Sequence, residues 1–324
     1  MTRAVLRAAE LNGYTVIGIL AGWAGLLEGR FKELRYSDFE NAIGSGGTML
    51  TTSRTNPLKK EHGLETIEAN MKKAGIDALI AVGGDDTLGV ASKLAELGVR
   101  VVGVPKTIDN DLAGTDYSFG FFTAVDEAAK LIESLATTGR SHERVMVVEV
   151  MGRDAGWIAS FAGMAAGANM IIVPEFETSL DSVVELVKSR AASGKNSSVI
   201  VVAEGVSFGY KSDIEKDEFG HALVAKAAGE NNASFLARYI EQKTGVETRA
   251  TVLGHSIRGT TPNSYDRIMT TLLGFRAVEA LHSGNSGVMV AVHGTSVVEV
   301  PLTEGSKKKF LDEKTWNVAK SFFA

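Results

Sequence analysis

Ala78-Leu79-Ile80-Ala81-Val82-Gly83-Gly84-Asp85-Asp86-Thr87 decides how the rest of the chain is read. Residues 78–82 are apolar throughout, as in a parallel strand buried on both faces, and a helical pattern follows over 88–97. Two glycines at such a turn let main chain approach an anion, while the helix N-terminus aims N–H groups at it. Asp85 would repel a bare phosphate there, but it suits one that arrives with Mg²⁺ between them. Asp85 and Asp86 equally suit ordinary acids that stabilise the first turn of a helix.

Working outward, β-branched runs at 15–19, 101–104, 144–150, 170–173, 199–203 and 287–292 alternate with helical patterns at 64–74, 122–136, 182–192 and 233–244. Strand, helix and strand at this spacing imply βαβ units and a doubly wound α/β architecture. A length of 324 residues predicts two domains, because single cores stop growing at roughly 250–300 residues. The run Lys307-Lys308-Lys309 reads as a solvated turn before a C-terminal helix.

Composition excludes several function classes. With 34 Lys and Arg against 39 Asp and Glu, the net charge of −5 argues against a nucleic-acid-binding face. The absence of cysteine excludes disulfides, zinc fingers and thiol chemistry, and fits a cytoplasmic protein. His62, His142, His221, His255, His282 and His293 form no pair at ligand spacing, so a bound metal is expected to be a hard, carboxylate-held ion. Two uncharged stretches, 11–27 and 155–174, are not read as membrane or signal segments. The first has Glu10 on its approach and no convincing cleavage site, and glycines, Asn169 and Pro174 break the second into a helix and a short strand.

Open α/β sheets bind ligands beyond the carboxyl ends of their strands, where the polar residues of this chain collect. After 101–104 comes Pro105-Lys106-Thr107-Ile108-Asp109-Asn110-Asp111, which is no Walker loop because Pro105 stands where a glycine must be. It offers a cation, a hydroxyl and two carboxylates that share a side if the segment is extended. One carboxylate can take a proton from a substrate hydroxyl while the other orients it or helps to hold a metal; an Asp-Asn-Asp turn is also common surface punctuation. Met151-Gly152-Arg153 follows 144–150, Glu204-Gly205 follows 199–203, and Arg249, His255 and Arg258 lie close in sequence. Arginine pairs bidentately with phosphate, and Glu204 can accept bonds from sugar hydroxyls.

These ordered motifs, with Gly114-Thr115-Asp116-Tyr117 and the run from Val148 to Arg153, resemble the phosphofructokinase family from about the first helix to the C-terminus. The resemblance implies two doubly wound Rossmann-like α/β domains with the active site in the cleft between them. Residues 1–120 and 257–306 would hold the phosphoryl donor, and 121–256 and 307–324 the sugar phosphate. The implied reaction is Mg²⁺-dependent transfer to the 1-hydroxyl of fructose 6-phosphate. Position by position, Asp109 resembles the general base, with Thr107, Asp111 and Arg153 as further catalytic residues, and Asp85 resembles the metal ligand. Gly84, Asp86, Thr87, Lys106 and Arg54 fall at donor positions. Met151, Gly152, Arg153, Glu204, His255 and Arg258, with Thr107 and Asp109, fall at sugar-phosphate positions. Arg144 and Arg249 match arginines that complete a neighbouring subunit's site, which implies a homodimer or homotetramer.

ATP-dependent members typically carry glycine where this chain has Asp86 and Lys106. An aspartate would crowd and repel the α-phosphate of a nucleotide, whereas pyrophosphate has no such group, so the pair resembles the pyrophosphate-dependent branch. The alternatives are an ATP-dependent enzyme and an inactive sugar-phosphate-binding homologue. Family members open with a strand and a Gly-Gly-Asp-x-Pro-Gly-x-Asn loop, whereas Met1 aligns just inside the helix after them. The expectation on that ground is a truncated or mis-started product with low or no activity for the chain as written.

Overall fold

The computed structural model describes residues 1–208 and 230–324; His221 lies outside them. The chain divides into two compact units, Met1–Thr123 with Arg258–Lys309, and Ala124–Ile257 with Phe310–Ala324.

The sheet of the first unit runs in the order Ser296–Pro301, Val288–His293, Val101–Thr107, Leu79–Gly83, and the short Phe119–Gly120 also pairs with Val101–Thr107. Its three middle and inner strands pair in parallel, whereas Ser296–Pro301 runs antiparallel to Val288–His293. Only Gly294 and Thr295 separate those two, too short a link for a crossover, and Gly294 takes φ 59° to make the turn. Both faces are covered. Leu79, Ala81 and Val101 pack with Ile67 and Met71 of helix Gly63–Lys73 and with Leu88 and Leu94 of helix Asp85–Glu96. Val102, Val104, Val290 and Val292 pack on the other side against Met269, Leu273, Ala277 and Ala280 of helix Ser264–His282. Strand Val16–Ile19 pairs with Phe31–Leu34 in a separate two-stranded sheet. Helix Thr2–Leu11 lies on Ser264–His282 at Gly274, where a Cβ would come within 2.8 Å of Ala4 Cβ.

In the second unit four strands pair in parallel in the order Met170–Ile172, Ser198–Ala203, Val145–Val150, Thr248–Val252. Val145–Val150 and Ser198–Ala203 are buried at every residue, which accounts for their mostly apolar sequence; the buried Glu149 carboxylate accepts from the Ala233 N–H at 3.0 Å. The uncharged stretch 155–174 resolves into helix Trp157–Ala165 and strand Met170–Ile172, and among the described residues no helix is long and apolar enough to cross a membrane.

All seven strands read from periodicity are present. Phe31–Leu34, Thr248–Val252 and Ser296–Pro301 were not anticipated, because each is only partly buried and carries polar residues that blur the pattern. Helix Ser264–His282 was also missed, since Thr270, Thr271 and Gly274 weaken its helical signal. Its start was marked by Asn263, whose side chain accepts from the Asp266 N–H, a cap with an acid three residues on.

Candidate active site

Parallel pairing of Leu79–Gly83 with Val101–Thr107 places Gly83 opposite Pro105. The segments that leave these carboxyl ends, starting at Gly84 and at Lys106, are therefore neighbours, and a Cβ on Gly84 would sit 3.8 Å from Thr107 Cβ. Gly84 caps helix Asp85–Glu96, whose first turn carries Asp85 and Asp86. Asp86 is exposed, whereas Thr87 turns back on the strand, so that a Cβ on Gly83 would collide with its side chain. Lys106 is accessible, yet the surrounding protein desolvates its ammonium and lowers its pKa; Arg258 adds repulsion and Asp109 opposes both. Arg258 thus belongs electrostatically with Lys106 in the first unit. Arg54 is exposed on an irregular segment that Ser53 anchors by donating to the Ala21 carbonyl at 2.9 Å.

Beyond Thr107 the chain is not extended, so Asp109 and Asp111 are not related by strand alternation. Asn110 takes φ 52°, in the left-handed region that asparagine tolerates, and its side chain is fully buried. Its Oδ1 accepts from Ser118 N–H at 3.0 Å, and the Ser118 hydroxyl donates to Thr107 O at 2.8 Å. Thr107 Oγ1 accepts from the Asp109 N–H at 3.1 Å and lies 3.4 Å from Asp109 Oδ2. The turn holds the two carboxylates close enough to repel one another.

That repulsion is visible at Asp111. Burial first, then Asp109 and Asp85, push its carboxyl from 3.8 up to about 6, while Lys308 partly opposes them. Between those values the unfolded chain gives up its proton before the folded one does, so this group makes folding less favourable as pH rises through the window, and the cost persists above it. Asp111→Asn, neutral and of equal shape, is therefore expected to raise the urea midpoint at about pH 8 and to lose that advantage below about pH 3, where both states are protonated. Equal midpoints for variant and parent at pH 8 would contradict the assignment.

The basic run 307–309 requires a correction. Lys307 is exposed and pairs with Glu304, as a solvated turn would, but Lys308 Nζ lies 3.8 Å from Asp85 Oδ2. Lys309 is turned inward: its Nζ donates to Asn110 Oδ1 at 3.2 Å, Thr115 O at 2.9 Å and Asp116 O at 2.8 Å. Burial depresses its pKa to about 8, with Asp116 and Asp111 pulling it back up. No local signal separates such a lysine from surface lysines, because its partners stand 193 to 199 residues earlier.

The second unit gathers a further group at its own strand ends. Gly152, at φ 136°, follows Val145–Val150, and its N–H lies 3.5 Å from Glu204 Oε1 after Ser198–Ala203. Gly205 N–H donates to Gly152 O at 3.1 Å, and a Cβ on Gly205 would collide with the Arg153 carbonyl, so both glycines are required for the two turns to touch. Met151 is half-buried beside them, and Arg153 pairs with Asp154 at 3.1 Å. His255 is exposed in the short helix Gly254–Ile257. Arg144 and Arg249, on adjacent strand segments, share Glu247: Arg144 Nε lies 2.7 Å from one carboxylate oxygen and Arg249 bonds the other. The Arg144 bond is the main reason that this exposed carboxylate titrates below its usual range.

Among the described residues no three acids or histidines are grouped so as to hold a metal by themselves. Mg²⁺ rarely needs that, since it commonly takes one or two carboxylates together with substrate phosphates. The mutual repulsion of Asp85, Asp109 and Asp111 is the kind of surplus negative charge that a divalent ion relieves, and the donor set fits it.

Two neighbouring parallel strands thus present carboxylates and a lysine beyond a glycine turn, an arrangement whose chemistry suits phosphoryl transfer. The family model for phosphofructokinase matches residues 1–281, and the chain belongs to the phosphofructokinase family. It is 48% identical to a pyrophosphate–fructose 6-phosphate 1-phosphotransferase of Amycolatopsis methanolica over 99% of this chain and 94% of the relative. It is 42% identical to an ATP-dependent 6-phosphofructokinase of Mycobacterium bovis, with the same coverage of 99% and 94%. A crystal structure of Pichia pastoris phosphofructokinase in the T-state superposes with a TM-score of 0.82 at 30% identity, covering 99% of this chain and 36% of that longer one.

Proposed function

We propose that this protein is a pyrophosphate-dependent 6-phosphofructokinase, which moves a phosphoryl group reversibly between pyrophosphate and the 1-hydroxyl of fructose 6-phosphate. The observation that carries the reading is the meeting of Asp85, Lys106, Thr107, Asp109 and Asp111 at the carboxyl ends of two adjacent parallel strands. Phosphoryl transfer needs little covalent help from a protein beyond positioning, charge neutralisation and a base for the attacking hydroxyl. Asp109 takes the proton of the 1-hydroxyl, with Thr107 beside it and Asp111 holding the hydroxyl in place. Lys106 neutralises the donor, with Gly84 and Thr87 shaping the turn and Arg54 as a further cation. Mg²⁺, held by Asp85 together with donor oxygens, would supply charge neutralisation on the transferring group.

Arg153 contributes to charge stabilisation, and Met151, Gly152, Glu204, His255 and Arg258 bind the sugar phosphate. Arg144 and Arg249, paired through Glu247, complete the site of a second copy of the chain in a homodimer or homotetramer. The setting is glycolysis in the cytoplasm.

Likeness alone does not choose the donor, since relatives named for pyrophosphate and for ATP stand at 48% and 42% identity. The choice of pyrophosphate rests on Asp86 and Lys106. The reverse reaction tests it: fructose 1,6-bisphosphate with inorganic phosphate and Mg²⁺ is expected to yield pyrophosphate and fructose 6-phosphate. Failure to form pyrophosphate, together with ATP formation when ADP replaces phosphate, would assign the nucleotide instead.

A further inference from the structure

We propose that Lys309 is a positioning residue for phosphoryl transfer, its ammonium clamping the 107–118 loop so that Asp109 and Asp111 are presented to the substrate hydroxyl. The catalytic half of this inference rests on the reading of function given above; the clamp itself does not.

An ammonium has three donors and no acceptor, and Lys309 directs all three into one loop, to Asn110 Oδ1, Thr115 O and Asp116 O. Its backbone joins in: Lys309 N–H donates to Asp111 O at 2.8 Å, Leu112 bridges to Lys308, and Ala113 N–H donates to Lys307 O at 3.0 Å. The far end of the loop is pinned elsewhere, where Asp116 N–H donates to Val292 O at 2.8 Å and Gly294 N–H to Asp116 Oδ2 at 2.7 Å. Between that end and Thr107, the residue that sets the geometry is Asn110, which sits between the two aspartates in a left-handed conformation. Such a conformation persists only where its surroundings hold it. Lys309 bonds the side chain of that residue and two carbonyls that close the same turn. Removing the ammonium frees the turn to relax, and Asp109 and Asp111 move with it, whereas its three bonds end in the loop and on no strand or helix residue.

The protein contains no cysteine, which permits a direct test. Lys309→Met removes the ammonium at nearly equal length. Lys309→Cys, alkylated with 2-bromoethylamine, restores an ammonium at this one position. Lys307→Met is the control on the exposed part of the run. Displacement of reacting groups by about 1 Å can cost on the order of 100-fold, so Lys309→Met is expected to lower kcat by roughly that factor with pyrophosphate and fructose 6-phosphate. Both KM values are expected to stay within about threefold of the parent. Amide hydrogen exchange across 107–118 is expected to accelerate at least about tenfold, with the rest of the protein unchanged. Alkylated Lys309→Cys recovers both readouts, unalkylated Lys309→Cys recovers neither, and Lys307→Met changes neither.

Parent-like kcat and exchange in Lys309→Met would overturn the proposal, as would equal defects before and after alkylation of Lys309→Cys. If Lys309→Met fails to fold, the alkylated and unalkylated cysteine forms decide. If the unaltered protein turns over neither pyrophosphate nor ATP, the functional reading fails and exchange alone judges the clamp: acceleration reversed by alkylation supports it, and unchanged exchange overturns it.

Discussion

Asp109→Asn is expected to lower kcat for phosphorylation of fructose 6-phosphate by about 10³-fold, within the 10²–10⁴ that a positioned general base contributes. The amide has the shape of the carboxylate and can keep the contact with Thr107, which lies 3.4 Å from Asp109 Oδ2, but it cannot accept the proton of the attacking hydroxyl. Binding should suffer little, so KM for the sugar phosphate is expected to stay within about threefold and the thermal midpoint close to that of the parent. Removing one charge from the cluster should also let the Asp111 carboxyl titrate lower, because Asp109 is one of the groups that push it to about 6. A loss of less than about tenfold in kcat would remove Asp109 from the role of base.

The second large effect is on the donor. Replacing Asp86 and Lys106 together by glycine is expected to cut kcat/KM for pyrophosphate by about 100-fold or more and to raise that for ATP, so that preference inverts. Asp86 is exposed on the first helical turn beyond Gly84, so its charge would count against the further phosphate of a donor bound at that turn. Lys106 lies near the end of the adjacent strand and is crowded by Arg258, an arrangement of two cations suited to a compact and highly charged donor. Specificity of this kind combines an attraction toward one donor with repulsion of the other, so both positions must change. Unaltered preference in the double variant would show that the donor is chosen elsewhere.

The fold was legible wherever a strand is buried on both faces, because Val145–Val150 and Ser198–Ala203 are apolar at every position but Glu149 and Ser198. It faded where burial is partial: Thr248–Val252 carries Thr, Arg and Ala and reads as a loop until its pairing with Val145–Val150 is seen. The carboxylate cluster was legible for a related reason, since Asp85 and Asp109 follow strand patterns whose ends must be neighbours once the strands pair. The path between Asp109 and Asp111 was not, because the left-handed turn at Asn110 is held by Ser118 and Lys309, neither of them local to it. Lys309 was read as solvated for the same cause: a triple lysine looks alike whether its ends meet water or distant carbonyls.

The most direct test of the account is the initial rate of fructose 1,6-bisphosphate formation from fructose 6-phosphate and Mg²⁺, with pyrophosphate and ATP supplied separately to the unaltered protein. The account predicts that pyrophosphate supports whatever turnover the chain as written retains, with at least about 100-fold lower kcat/KM with ATP. Turnover with ATP that equals or exceeds that with pyrophosphate would contradict it.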